Sequence, residues 1–106
     1  MSTLLIDDTR NMTADFTARS FQEGIDALKY LGPWDLLLLD HDLASFNPID
    51  NKELTGYDIA KFLESHPEFR PSKIQIITMN PVGRLNISNC LKGFYTEKLG
   101  TWELSI

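Results

Sequence analysis

The sequence has little that would suit an extracellular or membrane-spanning protein. It contains one cysteine, Cys90, which excludes an intramolecular disulfide and a cysteine-based zinc cluster. No apolar run approaches the roughly 20 residues that a membrane-spanning helix needs, and no basic segment with a long apolar stretch follows Met1. We therefore expect a cytoplasmic protein that does not associate with membranes.

Basic residues are also scarce. Ten Lys and Arg stand against fifteen Asp and Glu, which gives a formal net charge of -5 at pH 7. Such a balance provides no general attraction for phosphate backbones, so we do not expect sequence-independent nucleic-acid binding. The 42% hydrophobic content is ordinary for a globular protein, and a length of 106 residues predicts a single domain over residues 1–106.

Short apolar runs alternate along the chain with segments of helical periodicity. This alternation predicts an α/β protein with a mostly parallel sheet. The strands are expected at residues 3–6, 16–20, 35–40 and 73–78, the helices at 21–31, 55–66 and 85–91, and a final extended segment within 94–104.

Two local patterns refine this prediction. Ser20 is expected to cap the first helix, with Glu23 three residues later as in a capping box. Residues 44–54 show no periodicity and are long for a loop, which makes them a candidate lid.

Polar side chains follow three of the predicted strands where those strands end. Since the carboxyl ends of parallel strands meet at one edge of a sheet, these side chains are expected to line one crevice. Each group alone is common in turns, and it is their coincidence that predicts a site. The residues are Asp7, Asp8 and Arg10 after the first strand, Asp40, His41 and Asp42 after the Leu-rich strand, and Thr78, Asn80 and Arg84 after the Ile-rich strand.

The four carboxylates of this crevice predict a divalent cation. Carboxylates that share a crevice repel one another, and a bridging cation relieves the repulsion. An oxygen-rich set suits Mg²⁺ or Mn²⁺. We expect Asp8 and Asp40 to be direct ligands and Asp7 to contribute through water. Asp42 either reaches the metal through its backbone or orients His41.

His41 is the candidate for general acid or base chemistry, because it stands between two carboxylates. The competing interpretation is a structural histidine bonded to a backbone carbonyl. His66, which precedes a proline at a helix end, is given no role.

Arg10 and Arg84 are candidates for binding a phosphate, since a guanidinium matches phosphate oxygens bidentately. The competing interpretation is that either arginine simply pairs with Asp7 or Asp42. Further donors to the same anion are expected from the Thr78 hydroxyl, the Asn80 amide and the backbone amides of Val82 and Gly83.

This order of residues resembles that of response-regulator receiver domains, which carry an acidic pair after the first strand, an Asp after the third and a Thr after the fourth. Four segments resemble more narrowly a variant called the cyclic-phosphate processing receiver domain. They are LIDDTR at 5–10, LDHDL at 39–43, TGYD at 55–58 and NPVGR at 80–84.

The resemblance implies a single three-layer, receiver-like (flavodoxin-like) α/β domain with a mostly parallel sheet. This chain is expected to differ from ordinary receivers in an abbreviated first helix and in the absence of a final helix. It also implies roles for individual residues. Asp7 and Asp8 match the metal-binding acidic pair, Asp40 the phosphoacceptor position and Thr78 the hydroxyl position, and His41 and Asp42 complete the Asp-His-Asp motif of the variant.

The sequence departs from the family at two places. The variant usually has His then Ser at the end of the fourth strand, where this chain has Ile77 and Thr78. The lysine that receivers carry after the fifth strand has no clear match, and Lys98 lies in a segment that the pattern does not place.

The function implied is that of a metal-dependent phosphoesterase acting on a cyclic phosphate of a nucleotide or an RNA end. The alternative is a catalytically inactive receiver-like module that binds a partner protein or a phosphate ligand, through exposed Trp34, Phe46 or Trp102. In the first case the catalytic residues would be His41, Asp40 and Thr78.

Overall fold

A computed structural model describes residues 2–105 of the chain. Most of the predicted strands and helices are present, with boundaries that differ by a few residues. In chain order the elements are β1 (Thr3–Ile6), β2 (Phe16–Ala18), α1 (Phe21–Tyr30), β3 (Leu36–Leu39), β4 (Ser45–Phe46), β5 (Glu53–Leu54), α2 (Gly56–Ser65), a single 3-10 turn (Pro67–Phe69), β6 (Lys73–Ile76), α3 (Pro81–Leu91), β7 (Tyr95–Lys98) and β8 (Thr101–Leu104).

Six of the strands form one sheet in the order β2-β1-β3-β6-β8-β7. The first four of these are parallel, while β8 runs antiparallel to β6, and β7 antiparallel to β8. The predicted α/β class and mostly parallel sheet are therefore confirmed. The chain moves from β1 outward to β2 and then back across to β3, so the strand order reverses between β1 and β3. This is the position at which open parallel sheets bind ligands.

All three helices pack on one face of the sheet. Leu4 and Ile6 of β1 point to this face, and one continuous core joins them to buried residues of α1, α2 and α3. Leu37 and Leu39 of β3 extend the same core. This face is therefore covered by a complete helical layer.

The opposite face is covered differently. Its buried residues Leu5, Leu38 and Ile77 form a separate small cluster, against which Ala14 packs. Residues 7–15, which connect β1 to β2, contain no helix. No helix lies between β1 and β2, where an abbreviated one is expected, and no helix follows α3 within residues 2–105. The helices cover one face of the sheet, and on the other face Ala14 and Leu36 pack against the small cluster.

The helix caps follow the sequence with one change. The Glu23 N–H donates to Ser20 Oγ at 3.1 Å, as predicted. The Glu23 carboxylate, however, accepts from the Arg19 N–H at 2.7 Å, so only half of the capping box forms. In α2, by contrast, Thr55 and Asp58 make both bonds of the box.

Several expectations about the later part of the chain were wrong. Residues 44–54 are not without structure, because β4 and β5 pair there as a small antiparallel hairpin. Helix α3 begins at Pro81, four residues before the predicted start. Trp34 and Trp102, expected to be exposed, are buried in the main core, whereas Phe46 is 57% exposed as expected.

The final extended segment is the β7–β8 hairpin, in which Lys98 Nζ lies 3.8 Å from a carboxylate oxygen of Glu103. Its turn contains Leu99 and Gly100, with φ values of 53° and 84°. Of the helices in residues 2–105, none combines the length and the apolar character needed to cross a membrane.

Candidate functional site

Three carboxylates meet where the strand order reverses. Asp7 and Asp8 follow β1, and Asp40 follows β3, the strand paired with β1. One carboxylate oxygen from each lies within 4.8 Å of the others. Asp7 and Asp40 are buried and Asp8 is half-buried. The residues predicted as metal ligands are therefore brought together, with the exception of Asp42.

The two oxygens of Asp7 have different surroundings. Oδ1 accepts hydrogen bonds from the backbone N–H groups of Thr9 and Arg10, at 2.9 and 2.8 Å. Oδ2 is buried and has no hydrogen-bond partner, and the nearest cationic atom, Arg10 Nε, lies 3.8 Å away. A buried carboxylate oxygen without a donor is costly to desolvate. Its position beside Asp8 and Asp40 fits the oxygen ligands of a divalent cation.

Asp40 is a second carboxylate of the site whose charge is disfavoured by burial. Burial raises the pKa of its carboxyl above the ordinary value, and the negative charge of Asp7 adds to this. The His41 backbone N–H, the Thr78 hydroxyl and the Arg10 charge act in the opposite direction. Since the net shift is upward, the ionised carboxylate is not fully compensated by these donors. A bound cation would provide that compensation.

His41 is oriented by its neighbour. Its Nδ1 lies 2.9 Å from Asp42 Oδ1, and the histidine side chain is 15% exposed against 61% for Asp42. Of the two roles left open for Asp42, the side-chain geometry corresponds to orienting His41. The ring also packs against Gly83 so closely that a Cβ at position 83 would overlap it.

A second glycine fixes the backbone of the same segment. The Gly56 N–H donates to the His41 carbonyl at 2.8 Å, at the start of α2. A Cβ on Gly56 would overlap the Asp40 carbonyl, so only glycine permits this approach. The Thr-Gly pair in the sequence is thus explained by contact with the Asp40–His41 backbone.

The residues after β6 form a helix start. The buried Thr78 accepts from the Asn80 N–H at 3.1 Å. Asn80 Oδ1 in turn accepts from the N–H groups of Val82 and Gly83, both at 3.1 Å. The amides predicted as an anion nest therefore donate to the cap of α3. An anion would have to displace Asn80 Oδ1 to reach them.

The two predicted phosphate-binding arginines are held by consecutive carbonyls. Arg10 Nη1 donates to the Ile77 carbonyl at 2.6 Å, and Arg84 Nη2 donates to the Thr78 carbonyl at 3.1 Å. Arg10 also lies near Asp7, as the competing interpretation allowed, whereas within residues 2–105 no ion pair joins Arg84 to Asp42. Both guanidinium groups thus lie beside the end of β6, and their phosphate role stays a prediction.

Arg19 belongs to this region and was missed. Its Nη1 donates to the backbone carbonyls of Arg10 and Asp7, at 2.6 and 3.3 Å, and its Nη2 donates to Asn11 Oδ1 at 2.6 Å. It thereby fixes the loop that carries Asp7 and Asp8. Only its place directly after β2, beside the end of β1, could have indicated this contact.

The comparison with protein families agrees with this geometry. The family model described as "Cyclic-phosphate processing Receiver domain" matches residues 2–93, which is well over half of the chain and stops before the β7–β8 hairpin. No curated protein and no solved structure matches.

Proposed function

The chain belongs to the cyclic-phosphate processing receiver domain family, and from this premise we propose that it is a metal-dependent phosphoesterase that opens a cyclic phosphate of a nucleotide or an RNA end. Mg²⁺ or Mn²⁺ is the proposed cofactor, and the cytoplasm the proposed location. That the chain is a receiver domain of a cyclic-phosphate processing family follows from the family match itself. The hydrolysis, the cofactor and the location are what we propose in addition.

The observation that carries the proposal is the buried oxygen without a hydrogen-bond donor on Asp7, a carboxylate that has one oxygen within 4.8 Å of oxygens of Asp8 and Asp40. These three carboxylates are the residues that would hold the cation. When bound, the cation would stabilise negative charge on the phosphoryl oxygens. Arg10 and Arg84, both beside the end of β6, are the donors of the chain that would hold the anion of the substrate next to this cation.

The proposed roles of the other residues follow from their contacts. With Nδ1 directed at Asp42, the remaining nitrogen of His41, Nε2, is the atom proposed to move a proton to the leaving oxygen or from the attacking water. Arg10 and Arg84 would bind the non-bridging oxygens after exchanging a carbonyl for the phosphate. Thr78, whose hydroxyl faces Asp40, is proposed to bond the same anion.

Asp40 has a second candidate role as a nucleophile. In that case its carboxylate would attack the phosphorus while one ring P–O bond breaks and the released ring oxygen takes a proton. The acyl phosphodiester so formed would then be hydrolysed by water to free Asp40 and the opened phosphate monoester. Both routes use the same three carboxylates. Covalent labelling of Asp40 in a rapidly quenched reaction would separate them.

The test is a turnover assay with Mg²⁺ or Mn²⁺ and a panel of 2′,3′-cyclic nucleotides and RNA ends. We expect wild-type turnover and a loss of about 100-fold or more in His41→Ala and Asp40→Ala. His66→Ala is the matched control, because His66 stacks on Phe62 and contacts no site residue. If no metal gives turnover above that of the Asp40→Ala and His41→Ala variants, the enzyme proposal is wrong.

A module that binds without turnover is the second candidate, and one observation favours it. Ile77 stands where the resemblance leads us to expect a histidine, and its side chain is buried in the small cluster with Leu5 and Leu38. This chain therefore has a single histidine at the crevice within residues 2–105. Saturable binding of Mg²⁺ and of a cyclic nucleotide without any turnover is the result that this candidate predicts.

A further inference from the structure

A cavity of about 800 Å³ lies between the start of α1 and the β4–β5 hairpin. This volume is within the range of small-molecule sites. Most of its surface is apolar. The apolar walls are formed by Phe21, Phe46, Pro48, Ile49 and Leu54. Two of these side chains are strongly exposed, Phe46 at 57% and Ile49 at 94%, although a two-pair hairpin has little packing of its own to support them.

Short stretches of chain connect the segments that line the cavity to the acidic crevice. The Ala18 carbonyl accepts the Asp7 N–H at 3.1 Å, and Ser20, which lines the cavity, is two residues farther along, a reach of about 7 Å at most. On the other side, Ser45 follows Asp42 by three residues. Ser45 Oγ accepts the Phe21 N–H at 3.1 Å and so ties the hairpin to α1. Both walls of the cavity are thus continuous with segments that carry site residues.

We propose that this cavity binds the nucleobase of the substrate, so that the base contributes to affinity in addition to the cyclic phosphate. The inference rests on the proposed function, since it assumes that the phosphate lies at the acidic crevice. An aromatic side chain beside an anion site provides a stacking surface for a base, and every base has a face that can stack.

The polar atoms at the rim complement the edge of a base. Asn47 Oδ1 accepts the Ile49 N–H, which leaves the Asn47 NH₂ group as a donor. The Gln22 NH₂ group donates to Asp26, which leaves the Gln22 carbonyl oxygen as an acceptor. A donor and an acceptor beside a stacking surface suit the mixed hydrogen-bonding edge of a purine or pyrimidine.

The test compares two ligands that differ in the base. The probes are 2′,3′-cyclic AMP and glycerol 1,2-cyclic phosphate, each titrated with Mg²⁺ present, and adenosine is added as a base without phosphate. Binding is measured by calorimetry and by chemical-shift mapping. Phe46→Ala removes the stacking side chain, and Leu85→Ala is the matched control, since Leu85 is also 57% exposed but lies on α3.

We expect Phe46→Ala to weaken binding of 2′,3′-cyclic AMP about tenfold, to leave glycerol 1,2-cyclic phosphate unchanged, and to be rescued in part by Phe46→Tyr. Leu85→Ala should change neither ligand. Adenosine should shift the resonances of cavity residues such as Ser20 and Ile49. Equal wild-type affinity for the two cyclic phosphates, or equal effects of the two alanine variants, would overturn the proposal.

The two proposals fail in different ways. Base-dependent binding that Phe46→Ala weakens, without turnover, supports the nucleobase cavity and contradicts the hydrolase. Equal turnover of both cyclic phosphates, unaffected by Phe46→Ala, supports the hydrolase and overturns the nucleobase cavity. A concentration-dependent dimer that Phe46→Ala abolishes, with no binding of adenosine, would also overturn it.

Discussion

The two faces of the sheet differ in how their buried residues are covered. One face carries three helices and a continuous core, while the other has a small cluster against which Ala14 of the helix-free segment 7–15 packs. The strands alternate between the faces, so neighbouring residues such as Leu38 and Leu39 are buried in different clusters. A residue can thus be almost equally buried on both faces and yet have very different support around it.

The difference matters because the metal-ligand residues are divided between these two kinds of structure. Asp7 and Asp8 begin the segment that ends by covering the small cluster, and Arg19 holds this segment by hydrogen bonds. Asp40, by contrast, is supported by the start of α2 through Gly56. Two of the three carboxylates therefore lie on a segment without a helix, where local openings are expected to cost less than in the helical layer.

The largest expected effect is a loss of stability that differs between the two faces of the sheet. Leu39→Ala should lower the free energy of unfolding by about 4 kcal/mol, because the helical layer cannot collapse into the cavity. Leu38→Ala should cost about 2 kcal/mol, since segment 7–15 can move inward. Urea unfolding followed by circular dichroism measures both. Equal losses would show that the extended segment is as rigid a cover as the helices.

The second prediction concerns the hydrogen bonds that hold segment 7–15. Arg19→Ala should weaken Mg²⁺ binding about tenfold, as the loss of groups that position metal ligands does, and lower the free energy of unfolding by about 1 kcal/mol. Calorimetric titration with Mg²⁺ measures the first effect.

Arg70 offers the control for this variant. It donates to the carbonyls of Leu63 and Glu64, both at 2.9 Å, on the helical side of the molecule. Arg70→Ala should therefore destabilise the protein without changing its affinity for Mg²⁺. If the two variants weaken Mg²⁺ binding alike, Arg19 has no specific effect on the acidic loop.

The third prediction concerns the buried charge of Asp40. Since its pKa is raised in the folded protein, ionisation opposes folding at pH values above that pKa. Asp40→Asn should therefore raise the melting temperature of the metal-free protein by a few degrees at pH 7, and this gain should shrink as the pH falls towards 4. Mg²⁺ should raise the melting temperature of the wild type but not of the variant. A variant that still responds to Mg²⁺ would contradict Asp40 as a ligand.

The smallest effect on the free energy of unfolding is expected at an exposed residue on the face of the sheet that carries the small cluster. Gln75 pairs with Leu38 in the sheet but is exposed. Gln75→Ala should change the free energy of unfolding by less than about 0.5 kcal/mol, as surface substitutions usually do. A larger loss in urea unfolding would show that segment 7–15 protects more of this face than its contacts with Leu5, Leu38 and Ile77 indicate.

The sequence predicted those features that depend on local pattern. The apolar runs and the polar residues that follow them gave β1, β3 and β6 and their common edge, and the Ser20 cap formed as expected. Asn80 and Pro81 also signal the start of α3, because they are typical of an N-cap and the first helical position. The predicted helix at 85–91 leaves this signal out, and for the same reason the Val82 and Gly83 amides are predicted as donors to an anion and not to the helix cap.

Features that depend on contacts between distant segments could not be predicted in this way. Apart from its place directly after β2, nothing in the pattern around Arg19 indicates that its guanidinium reaches Asn11 and the Arg10 carbonyl. The residues next to Trp34 and Trp102 in the sequence do not indicate that either is buried. Trp102 is buried through the pairing of β8 with β6, and Trp34 through its contact with α1. The packing of all three helices on one face of the sheet likewise depends on which side each connection passes. The order of strands and helices in the sequence does not determine that side.

The two glycines that touch the Asp40–His41 segment set how this site can change by mutation. Gly56 and Gly83 lie on different helices, and a side chain at either would overlap this segment. In a saturation library selected for binding of 2′,3′-cyclic AMP, we expect both positions to remain glycine and Phe46 to remain aromatic, while the exposed Ile49 accepts many residues. Changes of ligand preference should then arise from single substitutions in the β4–β5 hairpin. The Asp40–His41 segment, which both glycines touch, should keep its conformation.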